Sequence, residues 1–181
     1  MKKKKKKLIL GLTGSIAAYK IPQMVSDLRK KEFNVFAVLT ENALKFVTPC
    51  TMEGVTANPA FSAMFYLKSN TLYPHIDLTR NADMLIIAPA TANFIAKASC
   101  GIADDLLSTI FLASTCPKLI APAMNERMLF NDQTKENINS LKKKGVLFMN
   151  VETGRLACGE TGKGRMASPK NIIKRIEKVL S

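Results

Sequence analysis

His75, in the stretch YPHIDLTR, is the only histidine of the chain. Its side chain changes charge near neutral pH, which makes it the natural general base if the fold brings it to a ligand. A structural role is the plainer alternative. Towards the end, segment 154–166 (GRLACGETGKGRM) sets Cys158 among four glycines and the basic residues Arg155, Lys163 and Arg165. That much glycine does not pack as a core, so the thiol faces either a ligand or solvent. The remaining candidates are neutral: Thr40 and Asn42 in LTENALKF, Thr91 and Asn93 in APATANF, Ser108 in GIADDLLSTI and Asn125 in APAMNERM. Hydroxyls and amides of this kind suit hydrogen bonding rather than proton transfer. Asp104 and Asp105 are adjacent, so on a helix they point about 100° apart and read as helix-start or neighbouring-chain hydrogen bonders, not as an acid/base pair. Gly14 and Ser15, in GLTGSIAAYK, open a strand-to-helix turn, where unpaired amides and the helix dipole favour a phosphate. A plain turn is the alternative there, because the spacing matches neither a P-loop nor GxGxxG.

Charge and composition exclude several classes. The formal charge of +13 suggests a nucleic-acid partner until the six lysines at 2–7 are set aside, which leaves +7. No aromatic residue interleaves that run, so it reads as a solvated lead-in, and the remaining charge favours a small anionic ligand. Cys50, Cys100, Cys116 and Cys158 lie far apart without a CxxC or Cys/His pairing, which suggests neither a disulfide framework nor a zinc site. The first three are expected to be small buried thiols. No apolar run approaches the roughly 18 to 20 residues of a membrane helix. LILGLTG, behind the lysines, is too short and too broken by glycine for a signal peptide, so a soluble cytosolic protein is expected.

Positioning such groups takes a scaffold, and the periodicity describes one. Apolar runs at 7–13, 33–40, 83–90, 118–124 and 145–151 read as strands buried on both faces. A helix is expected over 15–31, capped by Ser15, with Ile16, Tyr19, Met24, Val25 and Leu28 as its apolar face and Pro22 marking a kink or late start. Others fit 91–114, 126–144 and 169–180, the last with Ser168 as cap and Pro169 at its first position. Segment 49–80 has weaker periodicity and reads as an irregular excursion with a short strand or two. The alternation predicts an α/β chain: a single-domain doubly wound parallel sheet over 1–181, Rossmann-like and flavodoxin-like, with helices on both faces. Residues 1–6 would be its lead-in and about 154–167 a flexible substrate flap. Ligands of such sheets bind at the carboxyl ends of the strands. Neutral residues at four strand ends, with no acid about 20 residues after the first glycines to hold a ribose, point away from NAD and towards a ligand with one phosphate.

The blocks GSIAAYK, PHIDL, APATANFIAK with GIADDLLST, APAMNERM and GRLACGETGKGRM, in this order, resemble the homo-oligomeric flavin-containing cysteine decarboxylases, and among them those of coenzyme A biosynthesis. The resemblance covers nearly the whole chain. It implies FMN at the strand ends, its phosphate near Gly14 and Ser15, with Thr40, Thr91, Asn93, Ser108 and Met124 in the flavin site. It also implies His75 as catalytic base, Asn125 as holder of the substrate carboxylate and Cys158 as proton donor of the last step. The implied reaction converts 4'-phosphopantothenoylcysteine to 4'-phosphopantetheine by thiol oxidation, loss of CO2 and reduction of the resulting enethiol. Lys163 and Arg165, on the same flap, could meet the substrate's phosphate or carboxylate. Implied partners are further copies of the chain, as a homotrimer or dodecamer, and a separate or fused phosphopantothenate–cysteine ligase; neither nucleic acid nor membrane is expected. Peptidyl-cysteine decarboxylases and non-catalytic phosphatase-binding relatives are the alternatives that the same blocks leave open.

Overall fold

The computed structural model describes residues 5–65, 73–155, 159 and 161–181. At its centre lies β1 (Lys7–Leu12), whose residues from Leu8 onward are all buried. Leu8, Leu10 and Leu12 enter one core and Ile9 the other, as the two-residue period of a strand requires. On one side β1 pairs in parallel with β2 (Asn34–Leu39), which pairs with β3 (Ala60–Phe61). On the other side follow β4 (Met84–Ala90), β5 (Lys118–Pro122) and β6 (Leu147–Phe148), all parallel. The order β3-β2-β1-β4-β5-β6 reverses direction between β1 and β4, which opens a crevice at their carboxyl ends.

Helices cover both faces. On one, α1 (Ile21–Lys30), α2 (Pro49–Thr56) and α8 (Pro169–Leu180) bury Met24, Leu28, Met52, Ile172 and Ile176. On the other, α3 (Pro74–Thr79), α4 (Ala92–Cys100), α5 (Leu106–Ala113) and α7 (Asp132–Lys143) bury Leu78, Phe94, Ile110 and Leu141. Short α6 (Glu126–Phe130) follows β5. Among the described residues no helix is long and apolar enough to cross a membrane.

Several expectations need correction. The helix expected over 15–31 is a 3₁₀ helix, Ile16–Lys20, running into α1, and Pro22 stands in the first turn of α1, where its missing N–H costs nothing. Three residues per turn shift the phase of the first part, so Ala17 and Ala18 turn inward while Ile16 and Tyr19 are 54% and 64% exposed. The span 91–114 breaks into two helices at Gly101, whose φ is 73°. The span 126–144 breaks at Asn131, which caps α7. The irregular excursion holds two helices: Thr48 caps α2 ahead of Pro49, and Pro74 begins α3. Only Leu147–Phe148 of the last predicted strand pairs. The expected flap region contains an antiparallel ribbon, β7 (Glu152–Arg155) and β8 (Thr161–Arg165). Cys50 and Cys100 are exposed and Cys116 half-buried, so none of the three is the buried packing residue expected.

Candidate active site

A run of hydrogen bonds stitches the carboxyl ends of the strands into one rim. Thr40 N–H donates to Leu12 O at 3.0 Å, joining the ends of β2 and β1. Thr13, just past β1 and buried, donates its hydroxyl to Pro89 O at 2.8 Å and accepts from Thr91 N–H at 3.0 Å, tying β1 to β4. Ala123 N–H reaches Ala90 O at 2.9 Å, and Met124 N–H reaches Gly164 O at 3.1 Å, which carries the rim through β5 to the ribbon. Each bond fixes a backbone group that would otherwise be an unpaired polar atom at the sheet edge.

Side chains along this rim hold the turns in place. Ser15 accepts from Ala17 N–H at 3.4 Å as cap of the 3₁₀ helix. Thr40 accepts from Ala43 N–H, Thr91 from Phe94 N–H, and Asn125 Oδ1 from Arg127 N–H at 2.8 Å. Gly14 presses against the next turn: a Cβ there would come within 2.5 Å of Asn42 Cβ. Gly164 has φ 137°, and a Cβ on it would collide with Met124 O, so only glycine lets the ribbon dock on the Met124–Asn125 turn. The Gly14 turn heads a five-residue 3₁₀ helix rather than the long helix expected, which leaves little helix dipole at that point.

Between the 3₁₀ helix, the end of β5 and the ribbon opens a cavity of about 620 Å³. Ser15, Met124, Asn125 and Arg165 line it, as do Lys20 and Arg155. Ile16, Ala17, Tyr19, Ala123 and Met166 give it apolar walls. Among the described residues its cations are Lys20, Arg155 and Arg165, no carboxylate lines it, and none of the three forms an ion pair.

The other predicted residues lie elsewhere. Lys163 is exposed and does not line the cavity. Asn93 is exposed in the first turn of α4. Ser108 is buried in a capping box with Asp105, its hydroxyl spent within 3.0 Å of Asp105 O and Oδ1. His75 stands on α3, on the flank packed against α5, and not in the Asn125 cavity. Its Nδ1 is buried with no hydrogen-bond partner among the described residues, an arrangement that costs free energy unless a ligand or neighbour answers it. Around it Tyr73, Ile76 and Leu112 expose apolar surface, Tyr73 and Leu112 by 62% and 61%. Cys158 lies outside the described residues.

Asp104 and Asp105 behave as helix-start groups. Lys97 Nζ lies 2.8 Å from Asp104 and 3.2 Å from Asp105. The hydrogen bond from Lys97 holds the Asp104 carboxyl below its ordinary pKa, and the same bond raises Lys97. Sequence reasoning missed Thr13, Lys20 and Arg155 as site-forming residues. Tyr19 was legible only as part of a helix face and Lys20 not at all, because a 3₁₀ turn leaves no distinct periodic signal in five residues.

The Flavoprotein family model matches residues 1–181. The chain is 42% identical over 172 residues to the coenzyme A biosynthesis bifunctional protein CoaBC of Haemophilus influenzae, covering 95% of this chain and 43% of that protein. It is 42% identical over 171 residues to CoaBC of Bacillus subtilis, covering 94% and 42%. It therefore spans less than half the length of these curated relatives. Among solved structures, a PPC decarboxylase mutant complexed with pantothenoylaminoethenethiol superposes with a TM-score of 0.86 at 31% identity, over 97% of this chain and 98% of that one. The FMN-dependent cysteine decarboxylase SpaF superposes with a TM-score of 0.82 at 30% identity, over 97% and 98%.

Proposed function

The chain belongs to the flavoprotein family, and from that premise we propose that it is an FMN-dependent decarboxylase of coenzyme A biosynthesis, converting 4'-phosphopantothenoylcysteine to 4'-phosphopantetheine and CO2. The observation that carries this reading is the stitched rim, which brings Gly14, Ser15, Thr40, Thr91, Met124 and Asn125 to one edge beside a cation-lined cavity. The residues present fit FMN. The Ser15 hydroxyl lines a cation-rich cavity and suits a phosphate, and the buried His75 Nδ1 has no hydrogen-bond partner among the described residues. FMN would sit along Gly14, Ser15, Thr40, Thr91 and Met124, with Asn93 and Ser108 on its flank.

Bound there, FMN supplies an acceptor for the electrons of the substrate's CH2–SH group and returns them once CO2 has left. His75 takes the thiol proton during that oxidation. Asn125 orients the carboxylate by neutral hydrogen bonds, which avoids over-stabilising the ground state as a full charge would. The departing CO2 leaves its electron pair on the carbon adjacent to the amide nitrogen, in an enethiol. Cys158, on segment 154–167, donates the proton that this carbon needs when the enethiol is reduced, Arg165 holds the anionic substrate from the cavity wall, and Lys163, exposed on the same ribbon, adds its charge from outside.

His75 and Asn125 stand on different flanks of one chain, so a site that uses both is completed by a second copy. The exposed Tyr73, Ile76 and Leu112 around His75 give that copy an apolar seat, and a homotrimer or a dodecamer of trimers is the assembly we propose. Residues 1–181 act as one catalytic domain, in the cytosol, beside a separate or fused phosphopantothenate–cysteine ligase.

Anaerobic incubation of wild type and Cys158→Ser with 4'-phosphopantothenoylcysteine, read by flavin spectrum and product mass, tests this. Wild type should release 4'-phosphopantetheine, and the variant should stall at a species two hydrogens lighter with its flavin reduced. Decarboxylation only of a C-terminal peptidyl cysteine would replace this reading by the peptide-modifying one.

A further inference from the structure

The proposed substrate carries two anionic ends, a cysteine carboxylate and a phosphate monoester, with the whole pantothenoyl chain between them. The cavity answers that pattern with cations on separate walls. Arg165 follows Gly164, whose carbonyl accepts the Met124 N–H, so Arg165 and Asn125 belong to one end of the cavity. Lys20 belongs to the helical wall. It ends the 3₁₀ helix and caps α1, with Pro22 two residues on, so its backbone is fixed by both elements. Apolar Ile16, Ala17, Tyr19, Ala123 and Met166 complete the lining and suit the aliphatic middle of such a chain.

Lys20 also lacks the partner that structural lysines of this protein have. Lys30, Lys31, Lys97 and Lys135 each lie within 3.2 Å of a carboxylate. Among the described residues Lys20 has none, and its ammonium lies only over the Tyr19 ring, 5.8 Å from the centroid. An ammonium on a cavity wall without a counter-ion raises the local concentration of anions and pairs with a phosphate as a point charge.

Resting on the activity proposed above, we propose that Lys20 determines specificity for the substrate's terminal phosphate, while the Asn125 end holds the carboxylate. A phosphate monoester also occurs in the cofactor, so the test separates the two sources. Wild type, Lys20→Met and Lys20→Arg holoenzymes are assayed with 4'-phosphopantothenoylcysteine and with unphosphorylated pantothenoylcysteine, and bound flavin per chain is measured by absorbance. Wild type should favour the phosphorylated compound by about 10- to 100-fold in kcat/KM, the range of one charge-assisted hydrogen bond. Lys20→Met should lose that preference through a raised KM for the phosphorylated compound, with flavin content held, and Lys20→Arg should recover part of it. An equal fall on both compounds, or loss of flavin, would overturn the inference and assign Lys20 to the fold or to the cofactor's phosphate. Equal use of both compounds by wild type overturns it alone; use of neither overturns the activity reading and this one with it.

Discussion

The α4–α5 junction and the cavity beneath the ribbon both gather cations, and they differ in what answers them. At the junction Lys97 sits between Asp104 and Asp105, so its charge is answered by two carboxylates, of which Asp105 also caps α5. Among the described residues, the cavity that Lys20, Arg155 and Arg165 line has no carboxylate. The first arrangement closes on itself and serves the fold. The second leaves positive potential for something the chain does not supply, and a small anion is the chemistry that completes it.

The sharpest way to break this contrast is to supply the missing charge from the protein. Asn125→Asp keeps a good helix cap, so Tm should hold, but it sets a carboxylate among the cavity cations and opposite the substrate's own. Steady-state assays should show kcat/KM down by about 100- to 1000-fold, the cost of one oriented donor at a reacting group. Retention of activity would remove Asn125 from the site. Gly164→Val attacks the wall instead of the charge: its φ of 137° and the approach of Met124 O exclude a side chain, so the ribbon should leave the Met124 turn. The strain is about 1 to 3 kcal/mol, and activity should fall at least about tenfold while α-helical circular dichroism persists.

Thr13→Val tests the rim without touching the cavity. It keeps shape but removes the hydroxyl that bonds Pro89 O and Thr91 N–H; Pro89 O keeps the Thr13 N–H while Thr91 N–H loses its acceptor, for about 1 to 3 kcal/mol or roughly 2 to 12 °C in Tm. The smallest effect belongs to the junction. The Asp104 pKa is depressed in the fold, so its contribution is complete above the unfolded value of about 3.9 and fades as pH falls through the folded one. Asp104→Asn should therefore lower Tm by only about 1 °C at pH 7, the pair being exposed, and by nothing once the pH lies below the folded pKa.

Much of this architecture could be read before folding. β1 and β4 are apolar runs buried along their length, Ser168 and Pro169 begin α8 where the capping chemistry requires, and Asp105 caps α5. The segments that escaped were those whose signals depend on context. Pro49 and Pro74 look like breaks until Thr48 or Tyr73 is placed outside a helix, and Ile16 and Tyr19 look like a core face until the 3₁₀ winding is known. A hydroxyl shows its type in a sequence but not its neighbours, so the capping box that Ser108 forms with Asp105 had no signal of its own.

Local chemistry along the chain determined the strands, most helix starts and the neutral character of the strand ends, because periodicity and capping act over a few residues. Tertiary structure decided which of those ends meet. Thr13 reaches Pro89 and Thr91 across 76 and 78 positions, and the ribbon docks on Met124 through a glycine with no room for a side chain. It also parted His75 from Asn125 and, among the described residues, left Lys20 without a carboxylate, outcomes that depend on how the chain is wound about the sheet and so have no local signature.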